Sequence, residues 1–88
     1  MNNNSSFINP GEIILCIQFK SVDENIDIAI PCKNTDIFAE LEKKLYQHYP
    51  NYKKTNNYFT CNGNEIQRNK SLEDNNIKNS DKIILNKY

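Results

Sequence analysis

"FTCNGNEIQRNKSLEDNNIKNSDKIIL", residues 59–85, changes from apolar to polar and back to apolar. Its first residues have the character of a short strand, and residues 62–64, Asn-Gly-Asn, follow directly. Asn-Gly readily supplies the positive φ that a tight hairpin turn needs. The start of this stretch therefore predicts a strand, a turn and a brief return strand that ends at Ile66.

The remainder of the stretch predicts a one-turn crossing and a last strand. Ser71 is suited to cap a single helical turn, in which Leu72 and Ile77 are the only apolar side chains. Asn-Ser-Asp at residues 79–81 predicts a change of chain direction. The apolar run at residues 82–85, KIIL, is then expected to form a strand that packs against the rest of the sheet.

Two further strands are predicted upstream. Residues 12–20, EIILCIQFK, alternate in character, and so do residues 26–30, IDIAI. A period of two is typical of β-strands, so the pair predicts a β-hairpin, which Pro31 closes because proline cannot donate to a ladder. The side chains expected on the core face are Ile13, Leu15, Ile17, Phe19, Ile26, Ile28 and Ile30.

Between these strands and the opening stretch, the period changes to that of a helix. Apolar side chains recur at helical spacing, with Thr35 or Asp36 as the expected N-cap and an end by Tyr49, before Pro50. Residues 51–57 are expected to form a loop. The side chains predicted to face the core are Phe38, Leu41, Leu45 and Tyr49. Because strands and helix are segregated along the chain, the order predicts an α+β fold.

This pattern resembles the ubiquitin-like (β-grasp) domain family. The residues at matching spacings are Phe59, Gly63, Ile66, Ser71, Leu72, Ile77, Ile83 and Leu85, and the helix stripe Phe38, Leu41 and Leu45 matches as well. The resemblance implies a mixed β-sheet of four to five strands with one α-helix packed across one face. It covers residues 12–88, and we expect residues 1–11 to form a flexible, asparagine-rich arm.

Composition argues against several classes of function. The 88 residues carry 11 basic and 11 acidic side chains. With no net charge, we expect no long-range positive electrostatic potential that would attract nucleic acid or an anionic membrane. No signal segment or apolar run of about 18 residues is present, which favours an intracellular protein, cytoplasmic or cytoskeletal, with the nucleus also open. The excess of Asn, Ile and Lys resembles the proteins of AT-rich protist genomes.

Chemistry-bearing motifs are also missing from the sequence. The three cysteines are widely spaced, so although Cys16, Cys32, Cys61 and His48 could form a zinc site by count, we expect reduced thiols and no metal. Two glycines cannot build a phosphate-cradling loop, so we expect no nucleotide cofactor. A single domain of 88 residues is too small for a deep substrate cleft, so we expect no small-molecule substrate. Lys53 and Lys54 in a loop between tyrosines are a weak nucleic-acid signal. We expect no enzymatic activity.

A protein-binding surface is the remaining candidate site. With the family's strand order, the sheet face away from the helix would present an apolar row that crosses the first, last and third strands. Exposed apolar patches commonly mark protein contacts. The residues predicted to form this face are Ile14, Cys16, Tyr58, Thr60, Ile84 and Asn86.

Three functions are expected for a domain of this kind. The first is a small non-catalytic ubiquitin-like module that binds a partner protein through its sheet face. The second is a structural subunit of a large assembly, for example ciliary or cytoskeletal, in which a neighbour orders the arm. The third is a processed modifier, but conjugated members of the family end in Gly-Gly and this sequence ends in LNKY. The resemblance also places Thr60 and Asn86 at ubiquitin's aliphatic patch, where the usual ubiquitin receptors would find a poor anchor.

Overall fold

A computed structural model describes residues 10–88 and contains one five-stranded sheet with one α-helix. The strands lie in the order β2-β1-β5-β3-β4, with β1 and β5 parallel and the other neighbours antiparallel. The elements are β1 (Ile14–Ser21), β2 (Asp27–Lys33), α1 (Phe38–His48), a 3₁₀ helix (Pro50–Lys54), β3 (Asn57–Cys61), β4 (Asn64–Glu65) and β5 (Lys82–Lys87). The α+β class and the mixed sheet are confirmed. The predicted arm, residues 1–11, lies outside the described residues except for its last two.

The core lies between the sheet and α1. Strand alternation turns one face of β1, β3 and β5 inward, where it meets the predicted stripe of α1. Three phenylalanine rings form the centre, with Phe38 5.1 Å from Phe59 and Phe19 6.2 Å from each of the other two, measured between ring centroids. The two pairs that include Phe59 are edge-to-face, an arrangement that adds to the stabilisation that burial provides.

The one-turn crossing is confirmed. The Ser71 hydroxyl accepts a hydrogen bond from the Asp74 N–H at 3.0 Å, and both Leu72 and Ile77 are buried. Asn79 adds a contact that the sequence did not predict, because its side-chain oxygen accepts the Cys16 N–H at 2.8 Å. The crossing therefore fixes the position at which the chain enters β5.

The predicted N-cap of α1 is wrong. Ile37 is the N-cap residue, and it makes no side-chain cap hydrogen bond. Asp36 instead closes the preceding turn, where its carboxylate accepts the Lys33 N–H at 2.8 Å. The first N–H groups of the helix find backbone partners, since Phe38 and Ala39 donate to carbonyls of the segment that follows β4. A side-chain cap is unnecessary where tertiary carbonyls satisfy these donors.

Pro31 does not end the second strand, which continues to Lys33. Pro31 lies opposite Cys16, whose C=O accepts the Ser80 N–H and whose N–H donates to the Asn79 side chain. Both backbone groups of Cys16 thus point away from β2. The nitrogen of Pro31 therefore lies on the open edge of the sheet, where a missing N–H costs no ladder bond.

Residues 51–57 do not form a simple loop, because the 3₁₀ helix covers Pro50–Lys54 and β3 begins at Asn57. Tyr52 is buried, and its hydroxyl donates to the Asp23 carboxylate at 2.6 Å. This ring is therefore part of the core.

Arg68, in the segment after β4, forms hydrogen bonds to both α1 and β3. Its Nε donates to Glu42 Oε1 at 2.7 Å, its Nη2 donates to the Asn57 C=O at 2.6 Å, and its guanidinium lies 5.5 Å from the centroid of the Phe59 ring. Asn57 is itself buried. Loss of the guanidinium would thus leave a buried carbonyl without this donor.

We expect Arg68→Ala to lower the free energy of unfolding by about 1–2 kcal/mol, since charge-assisted hydrogen bonds that are partly open to solvent contribute on that scale. Urea denaturation measures the change. The matched control is Lys43→Ala, which removes an exposed ion pair with Glu40 at 3.4 Å and should change stability by less than about 0.5 kcal/mol. Equal effects of the two variants would contradict the role given to Arg68.

Asp23 joins the β1–β2 turn to two distant elements. Its carboxylate accepts hydrogen bonds from the hydroxyls of Ser21 and Tyr52, and Lys87 Nζ lies 3.5 Å away. The hydroxyl of Ser21, followed by that of Tyr52, holds the pKa of Asp23 well below its ordinary value. The ionised carboxylate is thus favoured in the folded state.

This pKa difference predicts a pH-dependent contribution to stability. Because the pKa of Asp23 is depressed by folding, its contribution is complete well above pH 4 and is lost as the pH falls toward the folded-state pKa. Asp23→Asn should therefore be less stable than the wild type at pH 7, and the difference should shrink below about pH 4. Thermal melts of both proteins from pH 7 to pH 2 measure this, and a constant difference would contradict it.

Candidate protein-binding surface

The sheet face opposite α1 carries all six residues predicted for the protein-binding site. In β1, β3 and β5 the inward positions are buried, and the alternate positions point away from the helix. No described element covers this outer face. The predicted residues found there are Ile14, Cys16, Tyr58, Thr60, Ile84 and Asn86.

The predicted apolar row is not continuous. Ile84 lies opposite Lys20 on β1, not beside Cys16 or Ile14. Along β1, Cys16 is four residues from Lys20, and therefore about 13 Å away. The polar pair of Gln18 and Lys82 lies between the two groups. The row is interrupted because β5 begins opposite Gln18 and therefore pairs with only the second half of β1.

Four of the predicted residues do come together. Thr60 lies opposite Ile84, and Tyr58 lies opposite Asn86, in the antiparallel pair of β3 and β5. The Asn86 amide donates to Thr60 Oγ1 and to the Ile84 carbonyl, each at 3.2 Å. Two polar side chains next to Ile84 are thus held in a fixed arrangement.

Tyr88 extends this group, although the sequence pattern did not indicate it. Its ring packs against that of Tyr58 with centroids 4.7 Å apart, and the side chain remains 76% exposed. The Tyr88 N–H donates to the Asn56 carbonyl at 3.0 Å, which continues the pairing of β5 with β3. We call the combined surface the outer patch; it consists of Tyr58, Thr60, Ile84, Asn86 and Tyr88.

Two lysines lie beside the outer patch. Lys20 is directly opposite Ile84, and Lys82 precedes Ile84 by two residues on the same face of β5. Neither takes part in an ion pair between described residues. Asp27, opposite Lys20 on β2, instead accepts a hydrogen bond from the Gln18 side chain at 2.8 Å. The outer patch therefore has a positively charged border on the β1 side.

The other end of β1 forms a separate apolar surface. Ile13, which was expected on the core face, precedes β1 and is 57% exposed; Ile14 is 56% exposed, and Cys16 and Pro31 are exposed beside it. Ile13 lines a cavity of about 300 Å³ together with Leu15 and the segment around Ile77. This surface is apolar, but it lacks the aromatic side chains and the polar pair that characterise the outer patch.

The groups considered for metal binding or catalysis are dispersed. Within residues 10–88, no cluster of three or more His, Cys, Asp or Glu side chains could hold a metal ion. Burial raises the pKa of the Cys32 and Cys61 thiols to about 11, with a further contribution from Asp36 and Asp81 respectively. Neither thiol is a nucleophilic thiolate at neutral pH. No described helix is long and apolar enough to cross a membrane.

Comparison with known proteins shows the fold. A solved structure described as a design based on ubiquitin superposes with a TM-score of 0.70, covering 88% of this chain and 89% of the design at 22% sequence identity. No protein-family model matches the sequence. No curated protein matches it either. At this identity the likeness extends to the architecture, which is the ubiquitin-like β-grasp.

Proposed function

We propose that this β-grasp domain is a non-catalytic protein-interaction module that docks a partner protein on the outer patch. The observation that carries the proposal is that Ile84 and Tyr58 are diagonal neighbours on paired strands of an uncovered sheet face, with the ring of Tyr88 packed against that of Tyr58. Tyrosine is enriched at the energetically important positions of protein interfaces. An aliphatic side chain beside an aromatic pair offers a partner an apolar anchor.

The packing of the outer patch favours a preformed site. Tyr58, Thr60 and Ile84 are on paired strands in the middle of the sheet, and the side chain of Asn86 is held by two hydrogen bonds. Binding to such a surface requires little ordering of the domain itself, so more of the contact energy appears as affinity. The hydroxyl of Thr60 and the amide of Asn86 then select a partner that satisfies them.

The proposal differs from binding through ubiquitin's own aliphatic patch. Thr60 and Asn86 are polar where the resemblance places that patch, so a receptor that requires aliphatic side chains there would lose apolar contact and desolvate polar atoms. We therefore expect a partner specific to this chain. Testing free ubiquitin as a competitor distinguishes the two, and competition by ubiquitin would contradict this specificity.

The test begins with proteins that co-purify with the tagged protein from its native cells. A partner of the outer patch is captured by the wild type and by the control Lys44→Asp, on the solvent side of α1, but is lost with Ile84→Asp. Capture that is the same for all three proteins would contradict docking on the outer patch. Stoichiometric recovery of one large assembly would identify the domain as a structural subunit.

That the domain is not conjugated to other proteins stays a prediction. The intact mass of the endogenous protein tests it directly, because conjugation adds the mass of a target and requires a processed glycine terminus. A single mass without adducts is the expected result. A ladder of adducts that persists in denaturant and disappears after treatment with an active isopeptidase would contradict it.

A further inference from the structure

We propose that the partner of the outer patch presents carboxylates, from Asp or Glu, beside the apolar side chain that contacts Ile84. This inference rests on the proposed function and adds the chemistry of the partner. It is carried by the two lysines that border Ile84, Lys20 and Lys82, and by the positions of the acidic side chains around them.

The two lysines are close to each other. Because Lys20 is opposite Ile84 and Lys82 is opposite Gln18, the lysines are diagonal neighbours on adjacent parallel strands. Strand spacing and rise put their Cα atoms about 8 Å apart. Side chains from positions this close keep the two ammonium groups in one region of the surface, where like charges repel over a screening length of about 8 Å at physiological salt.

The acidic groups of the same face do not neutralise this pair. Asp27 lies beside Lys20 on β2, but its Oδ1 accepts the Gln18 amide and it forms no ion pair with either lysine. Glu65 on β4 lies opposite Thr60, three strand spacings from Lys20, which is about 14 Å. The single carboxylate nearby, that of Asp27, does not balance the two ammonium groups of Lys20 and Lys82. The border of the outer patch therefore keeps a net positive charge.

A carboxylate of a partner would relieve this repulsion at the same time as it formed new ion pairs. Both lysines keep their charged ends at the surface, so the contacts would lie at the rim of an interface whose centre is Ile84. Rim charges of complementary sign mainly raise the association rate and make it dependent on salt. The apolar centre would supply the affinity, and the lysines would select acidic sequences.

Selection from a random peptide library displayed on phage tests the inference even while the partner is unidentified. The 88-residue chain is the bait, and Ile84→Asp is used to remove peptides that do not depend on the outer patch. The expected result is enrichment of peptides with Asp or Glu next to an aliphatic or aromatic residue. Their dissociation constants should rise at least about tenfold with the double variant Lys20→Glu/Lys82→Glu.

The control for net charge is Lys44→Glu/Lys54→Glu, two exposed lysines on α1 and the 3₁₀ helix, which should leave the same affinities within about twofold. Peptides in which the acids are exchanged for lysines should regain binding to Lys20→Glu/Lys82→Glu. Neutral or basic peptides that depend on Ile84 would overturn the charge inference alone. Absence of any enrichment that depends on Ile84 would overturn the proposed function as well.

Discussion

Phe59→Ala is expected to lower the free energy of unfolding by about 3–5 kcal/mol, the usual cost of removing a buried phenylalanine ring. Phe59 is 1% exposed and contacts the rings of Phe19 and Phe38, which approach it from the sheet and from α1. The substitution therefore opens a cavity where the two layers meet. Since small domains are stable by only about 5–15 kcal/mol, a large fraction of the total stability should disappear.

Chemical denaturation at 25 °C, followed by circular dichroism, measures this effect. Val22→Ala is the matched control, because it also removes an apolar side chain but from a position that is 60% exposed. We expect Val22→Ala to change stability by less than about 0.5 kcal/mol. A loss below about 1 kcal/mol for Phe59→Ala would contradict the central position of this ring.

Ile84→Asp is expected to weaken binding of the partner by at least thirtyfold, which corresponds to the roughly 2 kcal/mol that defines an interface hot spot. Ile84 lies on β5 between Lys20 and Thr60, at the centre of the outer face. An aspartate there removes the apolar contact and places a carboxylate that must be desolvated. Isothermal titration calorimetry with the co-purified partner gives the affinity.

Two further variants separate loss of contact from loss of fold. Ile84→Val keeps a β-branched apolar side chain and should bind within a few-fold of the wild type, whereas Tyr58→Ala removes the support of Tyr88 and should also weaken binding. All three variants should keep a cooperative thermal transition. Equal affinity of Ile84→Asp and the wild type would show that the partner binds elsewhere.

Much of the fold could be predicted from periodicity and turn chemistry. The Asn-Gly turn after β3 and the Ser71 cap each follow from one local rule and occur as expected. The helix stripe occurs as expected at Phe38, Leu41 and Leu45, whereas Tyr49 follows the last residue of α1 and is half-buried against the core. The errors arose where a distant element replaced the local partner. Asp36 does not cap α1 because backbone carbonyls after β4 already accept the first N–H groups of the helix.

The composition of the candidate site was more predictable than its shape. Alternation in a strand fixes the face on which a side chain lies, but a shift of two residues between strands leaves every side chain on the same face. The sequence therefore assigned Ile14 and Ile84 to one face without fixing their separation. That separation depends on the entry point of β5, which Asn79 and Ser80 set through their hydrogen bonds to Cys16.

The position of Tyr88 in the outer patch could not be predicted from the sequence for a related reason. It follows the alternating run of β5, and its place in the outer patch depends on its contact with the ring of Tyr58. The proximity of Lys20 and Lys82 could not be predicted either, because they are neighbours only in the observed parallel register of β1 and β5. A contact between distant strands leaves no periodic signal in one sequence.

The most direct measurement of docking on the outer patch is a map of amide chemical shifts in the ¹⁵N-labelled full chain as the co-purified partner is added. We predict that the largest changes fall on Thr60, Ile84, Asn86 and Lys20, with small changes on the solvent side of α1. Changes centred on Ile14 and Cys16 would move the interface to the other end of β1. Changes centred on Glu40 and Lys44 would contradict binding through the sheet face.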